Sequence, residues 1–140
     1  MELRRFEKLK DDAIMPQRAT KHSAGYDISS NEEVVILPNS FALVRTGLAV
    51  DMCNDEVLML FDRSSNPTKR GIVLINSVGI IDKDYFPNEF MGVFQNITNE
   101  PVTIKKGQRI MQGVFLEYKT TVDDKPMTDE RTGGFGSTGN

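Results

Sequence analysis

The chain has 140 residues and a mass of 15.7 kDa, the size of one domain and enough to bury roughly two thirds of its unfolded surface. Hydrophobic residues make up 39% and there are eleven glycines and six prolines, a composition of turn-rich globular proteins rather than helical bundles. A formal net charge of −3 and a sequence pI near 5.2 exclude a broad electrostatic grip on nucleic acid, so any polyanion must be held by a local cluster of cations and backbone amides.

In chain order, Met1-Glu2-Leu3-Arg4-Arg5 leads into no signal-peptide core, and no later apolar run approaches the roughly 20 residues that span a bilayer. The expected address is the cytoplasm, with no membrane partner. Ala24-Gly25-Tyr26-Asp27-Ile28-Ser29-Ser30 puts a glycine bend and an aspartate at the head of a strand; alone, it is a turn. Strands are expected over 34–37, 41–46, 48–51 and 56–61, interrupted by Pro38-Asn39-Ser40 and Cys53-Asn54-Asp55. Cys53 is the single cysteine, which excludes an intrachain disulfide and a cysteine-based zinc site. The single histidine, His22, is far away in sequence, so Cys53 is expected as a small buried strand residue rather than a nucleophile.

Asp62-Arg63-Ser64-Ser65-Asn66 sets a guanidinium beside two hydroxyls just after an apolar strand. It reads as an oxyanion clamp, because Arg offers a bidentate fork and serines at a bend add hydroxyl and amide donors; it also reads as a solvated loop. Over 72–85 an apolar run meets Asn76-Ser77, a second β-branched run crosses Gly79, and an acidic cluster with one aromatic follows. The pattern predicts a hairpin of two short strands. Asp82 comes straight after Ile80 and Ile81, so its carboxylate stands at the edge of apolar surface, where a general base can be kept dry and aimed. Tyr85 adds a flat ring. The alternative is an ordinary hairpin with a polar tip.

Further strands are expected over 90–96, 102–104 and 109–117, the last alternating polar and apolar residues as a half-buried strand should, so Arg109 and Gln112 carry no functional weight of their own. Short strands at regular spacing point to an all-β sandwich or barrel over 1–121, with no long amphipathic helix and no internal repeat. From 122 to 140 the chain turns polar and glycine-rich and is expected as a flexible arm that orders only against something else. Within it, Arg131-Thr132-Gly133-Gly134-Phe135-Gly136-Ser137-Thr138-Gly139 offers glycine backbone to phosphate oxygens and an aromatic ring to a base. It is no P-loop, since the GxxxxGK[ST] spacing is missing. A linker would explain its glycines and hydroxyls, but not Arg131 or Phe135.

Taken in order, AGYDISS (24–30), DRSSN (62–66), NSVGIIDKDY (76–85), RIMQGVF (109–115) and RTGGFGSTG (131–139) resemble the motifs of the homotrimeric deoxyuridine triphosphate pyrophosphatases, the dUTPases. The resemblance implies a distorted jelly-roll or β-clip subunit, a homotrimer with active sites at subunit interfaces, and hydrolysis of dUTP to dUMP and pyrophosphate by water attack at the α-phosphorus. That activity limits uracil incorporation into DNA and supplies dUMP for dTMP synthesis. Asp82 resembles the base that activates the water, and Tyr85 the residue that packs on the deoxyribose. Asn76, Gly79 and Ile80 resemble the uracil reader, and Arg63, Ser64, Ser65 and Gln112 the phosphate contacts. Arg131, Phe135, Gly136, Ser137 and Thr138 resemble the closing arm. Mg²⁺ is implied on the triphosphate, held by substrate oxygens and water, with Asp27 acting through water or Arg109. Three places depart from the pattern. Phe86-Pro87-Asn88-Glu89 is longer than usual and predicts a differently turned segment after Tyr85; Thr132 stands alone before the glycine pair; and Asp62 occupies a position where proline or glycine is frequent. Two other readings stay open: a dCTP deaminase on a related fold, and a trimer whose nucleotide-bound state is read by a regulatory protein, with 86–89 as the natural contact.

Overall fold

The computed structural model describes residues 3–131. Alternation drives the longest strands. In β7 (Glu56–Asp62) from Glu56 to Leu60, and throughout β10 (Met91–Asn96), every second residue is buried, the period-2 signature of a strand with one face on the core. β12 (Arg109–Glu117) keeps the alternation except at Ile110 and Met111, which are both buried where its pairing with β3 (Tyr26–Ser29) shifts register between Arg109 and Met111.

These strands build a five-stranded antiparallel sheet in the order β2-β3-β12-β7-β9, where β2 is Gln17–Arg18 and β9 is Val78–Ile81. A second sheet, β5-β10-β8, joins Phe41–Arg45, β10 and Ile72–Leu74. Two antiparallel pairs complete the architecture: β1 (Arg5–Lys8) with β6 (Leu48–Asp51), and β4 (Val34–Ile36) with β11 (Val102–Ile104). One core unites them, with Ile28, Leu58 and Leu60 from the larger sheet meeting Val44, Leu74 and Phe94 from the smaller one and Leu48, Ile36 and Ile104 from the pairs. The all-β class expected from the strand pattern is what the chain adopts.

Some elements differ from the sequence reading. The segment 72–85 is not a hairpin of mutually paired strands: β8 pairs with β10 in one sheet and β9 with β7 in the other. The chain turns the corner at Asn76-Ser77, where the Ser77 N–H donates to the Leu74 carbonyl at 3.2 Å and Ser77 takes a positive φ of 67°. β9 lies so close to β7 that a Cβ on Gly79 would stand 3.1 Å from the Leu60 Cβ, which is why a glycine interrupts the isoleucines. Cys53 sits half-buried in the turn between β6 and β7 rather than in a strand. Burial and the adjacent Glu56 push its thiol pKa up, the opposite of what a nucleophile needs. The short strands β1 and β2 were not expected. β1 is polar apart from Phe6, which packs 5.4 to 6.1 Å from the rings of Phe115, Tyr26 and Phe90 and so fastens the strand to the core.

The outer face of the smaller sheet is apolar. Phe41 and Leu43 are 65% and 50% exposed, and Ile75 at the end of β8 is 41% exposed. Leu43 pairs with Val93, and Phe41 with Gln95, which in turn pairs with Val73.

Candidate active site

Two chemical clusters lie at different ends of the five-stranded sheet. The first gathers cations. Asp27 on β3 pairs with Gln112 on β12, which pairs with Phe61 on β7, and Arg63 follows one residue past the end of β7. Arg63 Nε lies 3.9 Å from one Asp27 oxygen and Arg109 Nη1 3.4 Å from the other. Arg63 and Arg70 each donate from Nη1 to the Arg109 carbonyl, at 3.1 and 2.8 Å. Burial, then the neighbouring charges of Arg63 and Arg109, push the Arg70 pKa down. A guanidinium stays charged at any ordinary pH, so the direction reports burial first and the two positive neighbours second. Three arginines crowd around Asp27 and one carbonyl, a setting that favours an anion.

The loop carrying Arg63 is tightly held. Asp62 Oδ1 accepts from the Arg63 N–H at 2.9 Å and from Asn66 Nδ2 at 2.6 Å, while Oδ2 accepts from the Leu74 N–H at 2.9 Å. Fully buried Asn66 also donates to the Ile110 carbonyl at 2.7 Å, and its own Oδ1 accepts from Arg70 at 3.3 Å. Asn66 opens a five-residue π-helical turn, Asn66–Arg70, closed by Gly71 at φ 70°. Ser64 is exposed and Ser65 half-buried at the head of that turn. Gln112 Nε2 donates to the Asp62 carbonyl at 3.3 Å, and Gly25 leaves room for it: a Cβ there would meet Gln112 Oε1 at 2.6 Å. Between these residues runs a cleft of about 610 Å³ lined by Ser23, Gly25, Asp27, Phe61, Asp62 and Gln112, among others.

The second cluster is acidic. β9 ends at Ile81, and Asp82 continues extended (φ −81°, ψ 156°) into a 3₁₀ turn, Lys83–Tyr85. The Asp82 side chain is 53% exposed. Arg131 returns to this point: Nη2 forms an ion pair with Asp82 Oδ2, and Nε donates to Asp84 Oδ1 at 2.7 Å. Its guanidinium carbon stands 6.0 Å from the centroid of the Tyr85 ring. Hydrogen bonding to Asp84 raises the Arg131 pKa, with the charges of Asp84 and Asp82 outweighing desolvation. Tyr85 is 8% exposed and donates its hydroxyl to the Glu89 carbonyl at 2.8 Å, and burial together with Glu89 raises its phenol pKa above the usual 10.0. Glu89 in turn accepts from Arg45 at 3.0 Å and from the Gly47 N–H at 2.7 Å, so 86–89 is fastened down rather than projecting; only Pro87 and Asn88 are exposed there.

Asn76 is exposed at the corner, Gly79 is buried and Ile80 is 62% exposed, which gives β9 an accessible edge beside Asp82. The clusters do not meet within one chain. Asp27 is level with Phe61 and Asp82 is one step past the Leu58–Ile81 pair, three strands across. At about 4.8 Å per strand and 3.4 Å per residue this separates them by roughly 20 Å. Phe135, Gly136, Ser137 and Thr138, with Thr132, lie outside the described residues.

A family model described as dUTPase matches residues 11–139, which takes in both clusters. The deoxyuridine 5'-triphosphate nucleotidohydrolase of Lactococcus lactis subsp. lactis is 49% identical over 150 residues, covering 99% of each chain. The chain belongs to the dUTPase family. It is therefore a dUTP diphosphatase, a nucleotide-hydrolysing enzyme. Among solved structures, the Streptococcus mutans dUTPase superposes with a TM-score of 0.79 at 42% identity, over 84% of this chain and 98% of that one. The Staphylococcus bacteriophage 80alpha dUTPase gives a TM-score of 0.78 at 26% identity, over 91% and 98%; phage dUTPases are described there as controlling transfer of virulence genes by a proto-oncogenic G protein-like mechanism.

The motif reading of this dUTPase missed Arg70, Asn66 and Asp84. Asn66 and Arg70 are four positions apart across a proline-containing turn, a spacing that signals shared placement only once a helical turn is known to be there. Asp84 had a signal, since it is two residues from Asp82 and strand alternation puts such a pair on one face, although here a 3₁₀ turn brings both to Arg131.

Proposed function

We propose that this dUTPase hydrolyses dUTP to dUMP and pyrophosphate at sites completed by neighbouring copies of the chain, with Asp82 aiming a water at the α-phosphorus. The separation of the two clusters carries the reading: a set of arginines suited to the triphosphate and a carboxylate suited to the attacking water stand much further apart than the α- and γ-phosphorus atoms of one nucleotide. Joining the cationic end of one copy to the acidic end of another brings both onto one nucleotide. The apolar outer face of β5, β10 and β8 supports assembly, because exposed Phe41, Leu43 and Ile75 gain from burial. A homotrimer is the expected form.

In this mechanism Arg63, Ser64, Ser65 and Gln112 hold phosphate oxygens, and Asp27 keeps Arg63 and Arg109 oriented. Asn76 with the backbone at Gly79 and Ile80 reads uracil along the β9 edge, where a cytosine would leave buried hydrogen-bonding groups unpaired. Tyr85 packs against the deoxyribose, its ring held by the hydroxyl bond to Glu89. Asp82 orients the water and takes its proton as the P–O bond forms, and pyrophosphate leaves with the bonding electrons. Mg²⁺ bound to the triphosphate would supply further charge neutralisation beside Arg63 and the other arginines. Asp27, engaged by two guanidiniums, fits a role behind water better than direct ligation. Arg131 moves from the acid pair to the phosphates when the arm, with Phe135, Gly136, Ser137 and Thr138, closes over the nucleotide. The enzyme works in the cytoplasm, limiting uracil incorporation into DNA and supplying dUMP for dTMP synthesis.

Incubation with each of the four common deoxynucleoside triphosphates, dUTP and UTP, following pyrophosphate and ammonia, tests the proposal. Pyrophosphate from dUTP alone supports it. Ammonia from dCTP would identify a deaminase instead, and a monomer by light scattering would remove the shared site.

A further inference from the structure

Among the described residues, Asp62 is the one carboxylate at the cationic cluster that faces backbone and amide groups rather than arginines. Its two oxygens serve different elements. Oδ1 binds the clamp loop, through the Arg63 N–H at 2.9 Å and Asn66 Nδ2 at 2.6 Å; Oδ2 binds β8, through the Leu74 N–H at 2.9 Å. Two residues past Leu74 the chain turns at Asn76-Ser77 and enters β9. We propose that Asp62 is a positioning residue that locks the phosphate-clamp loop, which serves one shared site, to the base-reading turn of the same chain, which serves the next, so that anion binding at Arg63 in one site tightens the backbone that selects uracil in its neighbour.

The chemistry is specific to a carboxylate. It offers acceptors on both sides, and all three partners are N–H donors. Proline or glycine could make neither bond. An amide would present its own N–H₂ either to the Leu74 N–H or to the Arg63 and Asn66 donors, opposing donor to donor on one side. The rest of the assembly is rigid: Asn66 is fully buried and its bonds to Asp62, Ile110 and Arg70 tie the loop to β12 and to the arginine cluster, so little slack remains for Asp62 to act independently. Asp82 stands at the other end of β7 and shares none of these bonds, so the linkage bears on binding and selectivity rather than on the attack itself.

The proposal rests on the reading of Arg63 as phosphate clamp and Asn76 as base reader, and the test separates the two. Asp62→Asn in the full-length enzyme is expected to raise KM for dUTP on the order of tenfold, with kcat within about threefold, and to reduce the preference for dUTP over dCTP by about tenfold. A loss of kcat at unchanged KM and unchanged preference would overturn it. If Asp62→Asn does not fold, the unmodified enzyme decides: inorganic tripolyphosphate should slow hydrogen exchange at the Leu74 amide together with the 62–66 loop. Protection of the loop without Leu74 overturns the coupling. Arg63→Ala with an unchanged KM for dUTP, together with no tripolyphosphate protection in 62–66, would sink the clamp reading on which it stands.

Discussion

The two ends of β7 are built on different principles. At its C-terminal end, Asp62, Asn66, Arg70 and Arg63 form a network in which each polar group has a named partner and Asn66 is fully buried. Across from its N-terminal end, Asp82 and Asp84 are more than half exposed and meet Arg131 from a segment whose residues 122–130 are all exposed. The first end is fixed before a nucleotide arrives; the second can be rearranged by one. A phosphate site gains from preorganisation, because its donors then face the anion without reordering. On the proposed mechanism, a base that must meet water, sugar and a closing arm in turn gains from access.

The contrast can be broken at several points. Asp82→Asn should have the largest effect, a fall in kcat of about 10³-fold with nucleotide affinity within a few fold, since it removes the proposed base and little binding surface; single-turnover kinetics with a parallel binding titration check both halves. Removing residues 131–140 should leave a folded assembly of unchanged size whose turnover is reduced by about 10²-fold, read by light scattering and pyrophosphate release; a protein that no longer folds would make the tail part of the core. Arg63→Ala should raise KM for dUTP on the order of 10-fold to 100-fold, in keeping with loss of a charged hydrogen-bonding group.

The smallest effect sharpens the comparison away from the site. Glu56 is 5% exposed; burial pushes its carboxyl pKa up, but the Cys53 N–H at 3.0 Å and Arg4 at 2.5 Å prevail and hold it below the usual 4.5. A carboxyl depressed on folding stabilises the protein fully above its unfolded value and loses that contribution as pH falls through the folded one. Glu56→Gln should therefore lower the melting midpoint by about 3 °C near neutral pH, with the gap closing below about pH 4, measured by calorimetry across that range.

Much of this was legible in the amino-acid order because period-2 burial is local. β7, β10 and β12 announce themselves within a few residues, and the alternation in 109–117 even places Gln112 on a definite face. Partner choice is not local. The runs 72–75 and 78–81 read equally well as a hairpin or as strands of two sheets, and the decision depends on Phe94 and Leu60, which lie elsewhere in the chain. β1 and β2 are short and polar, so their only signature is what they lie against. In the site, the arginine of DRSSN and the aspartate after the isoleucines stood out by residue type. Asp62 looked like an irregularity because its farther partner, the Leu74 N–H, is twelve residues away, and Arg70 was silent because its acceptor is the carbonyl of Arg109.

The ion pairs between Arg131 and the two aspartates have a consequence for the empty enzyme. One Asp82 oxygen is already engaged by a cation from its own chain, so a stray phosphate ester drifting past finds that carboxylate occupied. A ligand anionic enough to lure the guanidinium away would free that oxygen, which on the proposed mechanism makes the charge of the triphosphate a licence for the chemistry as well as a handle for holding it.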